Sequence, residues 1–551
     1  RVRSYRNAAA AVEGYPERLA DIAADPERKL TDIPGIGKGI ASIVCEILQR
    51  GTFDKRETLL AKYPPTALEL LKIQGLGPRS IALLIEHFRV SSVDDLERLC
   101  REEKLRTLPR MGAKLEEKVL RSIQQYRSSS GRYILPYAQN VAEELTQYLR
   151  QGEGIEKITV AGSLRRGRET VGDLDLIVSG PGAAGALARF VEFPRVHEVL
   201  VRGENKASAQ VGLERIQVDV RAVPAESYGA AMQYFTGSKE HNVALRQRAL
   251  RMGMTLNEYG LFRLEGNERV AGEHEADIYA ALGLQWIPPE MRENCGEIEL
   301  AEEGKLPDLL GPLQIRGDLH MHTRETDGRA TLEEMAAECR ELGYEYIAIT
   351  DHSKAMAMSN GLDEQRAVAF AQRVREMDRE SLGLRIFSGI ECDILRDGTL
   401  DLADDALAEL DWVIASVHSH MNLESAEMTA RLLRTIDNPH VRVLGHLTGR
   451  ILLHREGYKF DVEAVLAKAA ERKVLLEINA SPERLDIHGP LLRTAKAKGC
   501  RFVVNTDAHH PRHLRNMPYG ILTARRGWLT AADVVNTQPL DEMTSFLAAH
   551  R

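Results

Sequence analysis

The sequence predicts a multidomain chain of α+β and α/β class, with helical domains first, a small β-containing domain next and a (β/α) barrel last. Three observations predict it. A helix, Gly-x-Gly turn, helix pattern recurs through the first part of the chain. An Asp173-x-Asp175 pair sits in a β-rich run. Histidines and carboxylates then recur just after successive β-branched runs, from Asp318 to His510. At 551 residues there is room for three or four domains, and 43% hydrophobic residues supply several cores. No run of about eighteen apolar residues and no signal-peptide pattern appears, so no membrane span is expected. The six cysteines are scattered without a Cys-x-x-Cys pair, which suits reduced thiols in a cytoplasm better than a disulfide framework or zinc knuckle. The net charge of −8 speaks against nucleic acid only as an average, because residues 1–135 carry 24 Lys/Arg against 18 Asp/Glu.

In the first segment, Leu30 onward reads Leu-Thr-Asp-Ile-Pro34-Gly35-Ile36-Gly37-Lys38, and Leu71 onward reads Leu-Lys-Ile-Gln-Gly75-Leu76-Gly77-Pro78-Arg79. A weaker third copy includes Pro109, Gly112 and Lys114. Glycines admit a close backbone, and the following helix N-terminus offers free N–H groups and a positive dipole end, which together suit a phosphate. Such a turn holds a DNA backbone without reading sequence. These copies resemble the helix-hairpin-helix family; the alternative is a small structural bundle. Gly35, Gly37, Lys38, Gly75, Gly77 and Arg79 are the candidate DNA contacts.

The Ser128-Ser129-Ser130-Gly131 stretch marks a boundary. A helix is expected over Leu135 to Arg150, then a strand through Ile158 to Ala161, then Gly162-Ser163-Leu164-Arg165-Arg166-Gly167. Side chains alternate along a strand, so Asp173 and Asp175 share a face. Two such carboxylates repel unless a cation lies between them, and hard oxygens suit Mg²⁺ or Mn²⁺. The Gly-Ser turn and Arg166 suit a polyphosphate. Metal plus phosphate on one sheet suggests nucleotidyl transfer; the bland alternative is a surface Asp-x-Asp. A helix near Ala183 to Val191 and a strand from Glu214 to Arg221 follow, the latter carrying Asp219 as the third carboxylate that two-metal chemistry needs.

Tyr234-Phe235-Thr236-Gly237-Ser238 comes next, followed by Asn242 and Arg246. Gly-Ser-x-Arg-Arg-Gly, Gly172-Asp-x-Asp, a later-strand Asp and Tyr-Phe-Thr-Gly-Ser resemble the family X DNA polymerases in order and spacing, over roughly residues 1–290. The resemblance implies a nucleotidyltransferase palm, a small thumb and flanking domains that bind gapped DNA. It implies that Asp173 and Asp175 hold both metals and that Asp219 ligates the catalytic one. Ser163, Arg166 and Gly172 would contact the triphosphate, Tyr234, Phe235 and Gly237 the sugar, Asn242 the base edge, and Arg246 the template. Core packing is the alternative for Tyr234 and Phe235, and helix capping for Asn242. Three positions depart from the pattern. Ile43 stands where lyase-competent members carry a Schiff-base lysine, so that activity would need another lysine. Gln217 replaces an arginine, and Lys239 an acid near the base.

Glu297 to Leu313 is acidic, punctuated by Pro and Gly, and reads as a linker. Asp318-Leu-His320-Met-His322 then begins a second chemistry. Two imidazoles on one strand face would sit together. Asp327, His352, Glu391, His418, His446, Glu477, Asn479, Asp507 and His509 follow, mostly after β-branched runs, with helical stretches between them. That is the (β/α) barrel pattern, with ligands at the C-terminal strand ends. A single histidine at a strand end is usually structural; a succession of them is not. Residues 314–515 resemble the PHP (polymerase and histidinol phosphatase) family, which implies a distorted (β/α)7 barrel with about three divalent metals, Mn²⁺ or Zn²⁺. By position, His320, His322, Glu391 and Asp507 would surround one metal, Asp327, His352 and His509 a second, and His418 and His446 a third, with Glu391 bridging. Asp327 stands where many members have histidine, favouring a harder ion such as Mn²⁺. His420, His454, His488, His510 and His513 read as non-ligands.

The expected domains are helix-hairpin-helix over 1–57, a fingers-like helical domain over 58–131, palm over 132–226, thumb over 227–295, linker over 296–313 and PHP domain over 314–551. The expected function is repair of short DNA gaps by two-metal nucleotidyl transfer, with a metal-dependent 3'-5' exonuclease or 3'-end-processing activity. The partners would be gapped or nicked DNA and dNTPs, for a monomer in a bacterial cytoplasm at the nucleoid. The alternatives are a PHP nuclease with weak nucleotidyl transfer, and a DNA-end tethering module.

Overall fold

A computed structural model describes residues 5, 8, 12, 19–25, 28–33, 36–63, 67–71, 73, 75–109, 111–129, 131–380 and 383–549. Gly35, a candidate DNA contact, lies outside them. Tertiary contacts divide the chain into two compact units, Arg1–Ser130 and Gly131–Arg551.

The first unit is helical. Its second-helix elements, Lys38–Arg50, Pro78–Phe88 and Ala113–Ser129, begin directly after Gly37, Gly77 and Gly112. Ile22, Leu30, Ile33 and Ile36 form one small core, and Leu70, Leu84, Leu96, Leu105, Val119 and Ile123 belong to a larger one. Helices Pro78–Phe88 and Val93–Arg101 each bury an apolar stripe at helical spacing, whereas Lys38–Arg50 has no fully buried residue.

The second unit opens with strand β1 (Tyr133–Ile134) and helix Leu135–Arg150. Then come β2 (Lys157–Val160), β3 (Thr170–Val171), β4 (Asp173–Ser179), β5 (Val196–Arg202), β6 (Lys206–Val211) and β7 (Ile216–Ala222). β1 pairs with β3, and the other five form a mixed sheet in the order β2-β4-β7-β6-β5, with β4 and β7 parallel. Leu174, Leu176 and Val178 of β4 pack one sheet face against helices Leu135–Arg150 and Ala183–Val191. The period of two therefore leaves Asp173 and Asp175 on the other face. Helix Tyr228–Thr236 covers that face further along, through Ala231, Met232 and Ile177.

A three-stranded antiparallel sheet follows, β8 (Met254–Asn257), β9 (Gly260–Arg263) and β10 (Arg269–Ala271), packed on helices Lys239–Arg251 and Glu275–Ala281. The stretch 296–313, expected to be a linker, is partly built into this core: Glu297–Glu302 is helical, and Ile298, Ala301 and Leu309 are buried with Tyr279 and Leu245. Its acidic composition concealed an apolar stripe at helical spacing.

The last part holds seven parallel strands in sequential order: β11 (Gly317–Asp318), β12 (Tyr346–Ile349), β13 (Arg385–Asp393), β14 (Trp412–Ser416), β15 (Val443–Leu444), β16 (Leu475–Asn479) and β17 (Phe502–Asn505). The chain beyond β11 meets the chain beyond β17, with His322 N–H donating to Ala508 O at 2.8 Å, which nearly closes a barrel. Tyr346, Ala348, Trp412 and Val503 fill the interior, while Ile347, Ile349, Val413 and Val504 face the helices. Strands buried on both faces read as continuous apolar runs, as these do. Among the described residues, no helix is long and apolar enough to cross a membrane.

Candidate active sites

The first candidate site lies on the mixed sheet. Parallel pairing of β4 and β7 sets Asp175 in register with Asp219, and Asp173 with Gln217. Three carboxylates therefore share one patch. Burial, with Asp173 and Asp219 nearby, pushes the Asp175 carboxyl up to about 7, as expected of crowded acids. Burial opposes ionisation of Asp219 too, but hydrogen bonds from Lys206 and Ser208 hold its carboxyl below the usual range. Lys206 Nζ lies 2.6 Å from Asp219 Oδ2, and Arg221 lies 3.5 Å away. Neither base was singled out from the sequence, because their relevance depends on strand register.

Gly162–Arg165 forms a short helical turn instead of an open one. Gly162 has φ +65°, and a Cβ there would lie 2.8 Å from Asp175 Oδ2, so only glycine lets the loop rest on the carboxylate. A cleft of about 380 Å³ opens beside it. Ser163, Arg166, Asp173 and Asp175 line it from the sheet side, and Tyr234, Phe235, Gly237, Asn242 and Arg246 from the other. Asp219 and Gly172 lie outside this lining; a Cβ on Gly172 would lie 3.9 Å from Gly131 O. Arg166 donates to Thr236 O and, through Nε, to Glu293 Oε1 at 3.2 Å. Asn242 donates to Tyr234 O and accepts from Gln233, both at 2.7 Å. It braces the Tyr234–Gly237 segment. Phe235 meets Tyr234 edge-on at 5.0 Å, and the Arg221 guanidinium stacks on its ring at 4.2 Å.

In the helical unit, Gly37 and Gly77 cap the helices that follow them without any side-chain bond to the first turn. A Cβ at either would meet nothing within 4 Å, so the turn leaves room for a close approach at the start of each helix. Lys38 and Arg79 are exposed at these ends. Gly75 has φ +97° and sits against Leu115 of helix Ala113–Ser129, a structural reason for that glycine.

The second candidate site lies at the C-terminal strand ends of the barrel. Five imidazoles surround the buried Glu391. Their ring nitrogens lie 3.5 Å (His320), 3.6 Å (His322), 2.9 Å (His352), 3.4 Å (His418) and 3.0 Å (His446) from its oxygens. Asp507 Oδ1 is 3.1 Å from His322 Nε2, and Asp327 bridges His352 at 3.5 Å and His509 at 3.4 Å. β11 ends at Asp318, so His320 and His322 sit just beyond the strand, not on it. Three overlapping donor groups result, each with ligand atoms within 4.8 Å of one another: His322, Asp327, His352 and His509; His320, His322 and Glu391; His352, Glu391 and His418. His322 thus falls in two groups, whereas the family pattern assigned it to one. Asp507 and His446 stand outside these groups although both contact their members.

Glu477 and Asn479, strand-end residues without a role in the sequence reading, prove to be the supports. Glu477 contacts His320 Nδ1 at 2.6 Å and accepts from the His446 backbone N–H at 2.8 Å. Asn479 donates to Asp507 at 3.1 Å. With Nδ1 fixed by Glu477, His320 Nε2 is left buried without a hydrogen-bond partner and aimed at Glu391 and Asp507. Lone pairs of several imidazoles and two carboxylates converging in one buried space fit divalent cations. His488, His510 and His513 instead accept hydrogen bonds from backbone N–H groups.

Comparison with known proteins bears on both sites. Helix-hairpin-helix domains match residues 1–53 and, as a SAM-like tandem, 67–125. The DNA polymerase beta thumb matches 231–293, and the PHP domain 318–481. The DNA polymerase/3'-5' exonuclease PolX of Bacillus subtilis (strain 168) is 37% identical over 548 residues, covering 99% of this chain and 95% of that protein. The chain belongs to this PolX family. A probable phosphatase of Shewanella oneidensis is 30% identical over 36% of this chain and 77% of its own length. A Leishmania infantum polymerase beta, solved as a ternary complex, is 26% identical, covering 41% of this chain and 98% of that one, at a TM-score of 0.29, too low to argue from. Like other PolX-family chains, this one pairs a polymerase-beta-like half with a PHP barrel.

Proposed function

We propose that this chain is a DNA polymerase that fills short gaps with the Asp173–Asp175–Asp219 centre and a 3'-5' exonuclease that hydrolyses 3' ends with the Glu391 centre. The observation that supports it best is the presence of two separate carboxylate centres, each beside a polar cleft or histidine cluster, on one chain. Asp173, Asp175 and Asp219 suit Mg²⁺ or Mn²⁺, and the barrel donors suit about three divalent ions, with Asp327 favouring Mn²⁺ over Zn²⁺. Such ions supply charge neutralisation at phosphate and a lowered pKa for the attacking hydroxyl.

The chain's own residues do the rest. Arg166 and the Gly162–Arg165 turn bind the triphosphate of a dNTP, and Ser163 adds a hydroxyl donor. Tyr234, Phe235 and Gly237 pack against the sugar. Gly37, Gly77, Lys38 and Arg79 hold backbone phosphates of gapped or nicked DNA, and Arg246 the template strand. In the barrel, Glu477 orients His320, and Asn479 orients Asp507. The free state of all six cysteines suits a bacterial cytoplasm. The probable-phosphatase relatives of the barrel favour a second substrate class, 3' phosphomonoester ends.

Primer extension on gapped DNA by Asp173→Asn/Asp175→Asn tests the polymerase reading: extension should vanish while 3' hydrolysis persists. His320→Ala/His322→Ala should do the reverse. Extension by the first variant at wild-type rate would overturn the polymerase assignment, and 3' hydrolysis by the second the exonuclease assignment.

A further inference from the structure

The barrel reaches into the nucleotide-binding loop of the other active site. Its helix Met517–Arg526 packs beneath the turn that carries Arg166. Gly167, at φ +66°, admits this approach: a Cβ there would lie 2.5 Å from Leu522 Cγ. Arg526 ends the helix and is only 3% exposed. Its Nη1 donates to the Arg166 backbone O at 3.0 Å and to Glu293 Oε1 at 3.3 Å. That same Glu293 oxygen accepts from Arg166 Nε at 3.2 Å and lies 3.6 Å from Arg168. The neighbouring Arg525 ties Glu290 at 2.7 Å and Leu310 O at 3.1 Å, pinning the segment that carries Glu293.

We infer that Arg526, a residue of the PHP barrel, is a positioning residue for nucleotide binding at the polymerase centre, holding the Arg166 loop by its carbonyl and Glu293 against the Arg166 guanidinium. The inference rests on the reading of Arg166 as the triphosphate contact. The physical reason is preorganisation. A guanidinium on a Gly-bounded loop loses rotamer freedom when it meets a phosphate, and a loop already clamped from below has less left to lose. Arg526 suits the task because its terminal Nη1 carries two N–H donors, one for the Arg166 carbonyl and one for the Glu293 carboxylate. Arg168 adds positive charge around Glu293 but is largely solvated.

The test is single-nucleotide insertion on gapped DNA by the full chain, with 3' hydrolysis measured on the same preparation. Arg526→Met keeps the length and apolar stem but removes the donors. It should raise KM for dNTP about tenfold, the equivalent of ~1.4 kcal/mol, with kcat changed less than about twofold. Hydrolysis should be unchanged, which reports an intact barrel. Arg526→Lys should recover part of the loss, since an ammonium restores the charge and donors but ends one bond short of Nη1. Glu293→Gln, outside the barrel, should raise KM in the same way. An unchanged KM in Arg526→Met or Glu293→Gln, or a parallel fall in hydrolysis, overturns the inference. Arg166→Ala separates the two layers. If it raises KM while Arg526→Met does not, only the positioning role fails. If Arg166→Ala leaves KM unchanged, the triphosphate reading fails and the inference with it.

Discussion

Asp175 lies in register with Asp219 across the parallel pair β4 and β7, although the two are far apart in the chain. A parallel crossover sets both acids at the same strand level, so neither can retreat from the other. That pairing makes Asp219 a member of the Asp173–Asp175 patch. Asp219→Asn should therefore cost primer extension about as much as Asp175→Asn, each on the order of 10³-fold, as several kcal/mol of charge stabilisation is lost. Steady-state insertion kinetics with saturating Mg²⁺ measure this; an Asp219→Asn enzyme within tenfold of wild type would remove it from the centre.

Glu477 touches no substrate atom in the proposed arrangement, yet it contacts His320 Nδ1 and braces His446. Replacing it with Gln should lower metal content or hydrolytic activity about 10- to 100-fold, the usual effect of losing such a support. Primer extension should stay at the wild-type level. Metal analysis alongside both assays checks the split.

Lys38 and Arg79 are exposed at the starts of helices that no side chain caps. Their double replacement by Ala should weaken gapped-DNA binding equally on all sequences. It should reduce the slope of log affinity against log salt by about two, roughly one for each phosphate that is no longer neutralised. Fluorescence anisotropy across a salt series reads both quantities.

His241 is buried between Glu297 and Tyr279, at 2.6 and 3.0 Å. Burial, helped by Arg292, holds its pKa below the ordinary 6.5 despite the Glu297 carboxylate. Its proton thus belongs on Nδ1 towards Glu297, with Nε2 accepting from Tyr279, a tautomer inferred from the partners. A histidine kept neutral when folded but protonated when unfolded contributes stability fully above 6.5. That stability is lost as pH falls from 6.5 towards the folded value. The melting temperature should fall over this interval, and His241→Gln should flatten that part of the curve. An unaltered slope in the variant would exclude His241 as its source.

Much of both sites was legible because strand periodicity and motif spacing are local. Asp173 and Asp175 share a face whatever surrounds them, and the barrel histidines fall at strand ends because βα units repeat along the chain. Asp219 was named as the third carboxylate from its motif order, but its place beside Asp175 depended on register, which is nonlocal. Lys206 and Arg221 went unnoticed for the same reason. Asn242 shows another nonlocal relation: beside its place in the cleft lining, packing supplies Gln233 and Tyr234 O as partners that its motif position did not reveal. The segment around Glu297 read as a linker because composition outweighed its helical stripe.

By itself, then, the sequence determined the order of helical unit, mixed sheet and barrel, the Asp-x-Asp face and the succession of strand-end histidines and carboxylates. These follow from alternation, helical period and glycine turns, which act over a few residues. Only the tertiary structure decided which of these side chains group together, that Glu391 stands among five imidazoles, and that Arg526 meets the Arg166 loop. Those relations join residues brought together by barrel closure and by packing between domains, and no local pattern in the chain encodes such distances.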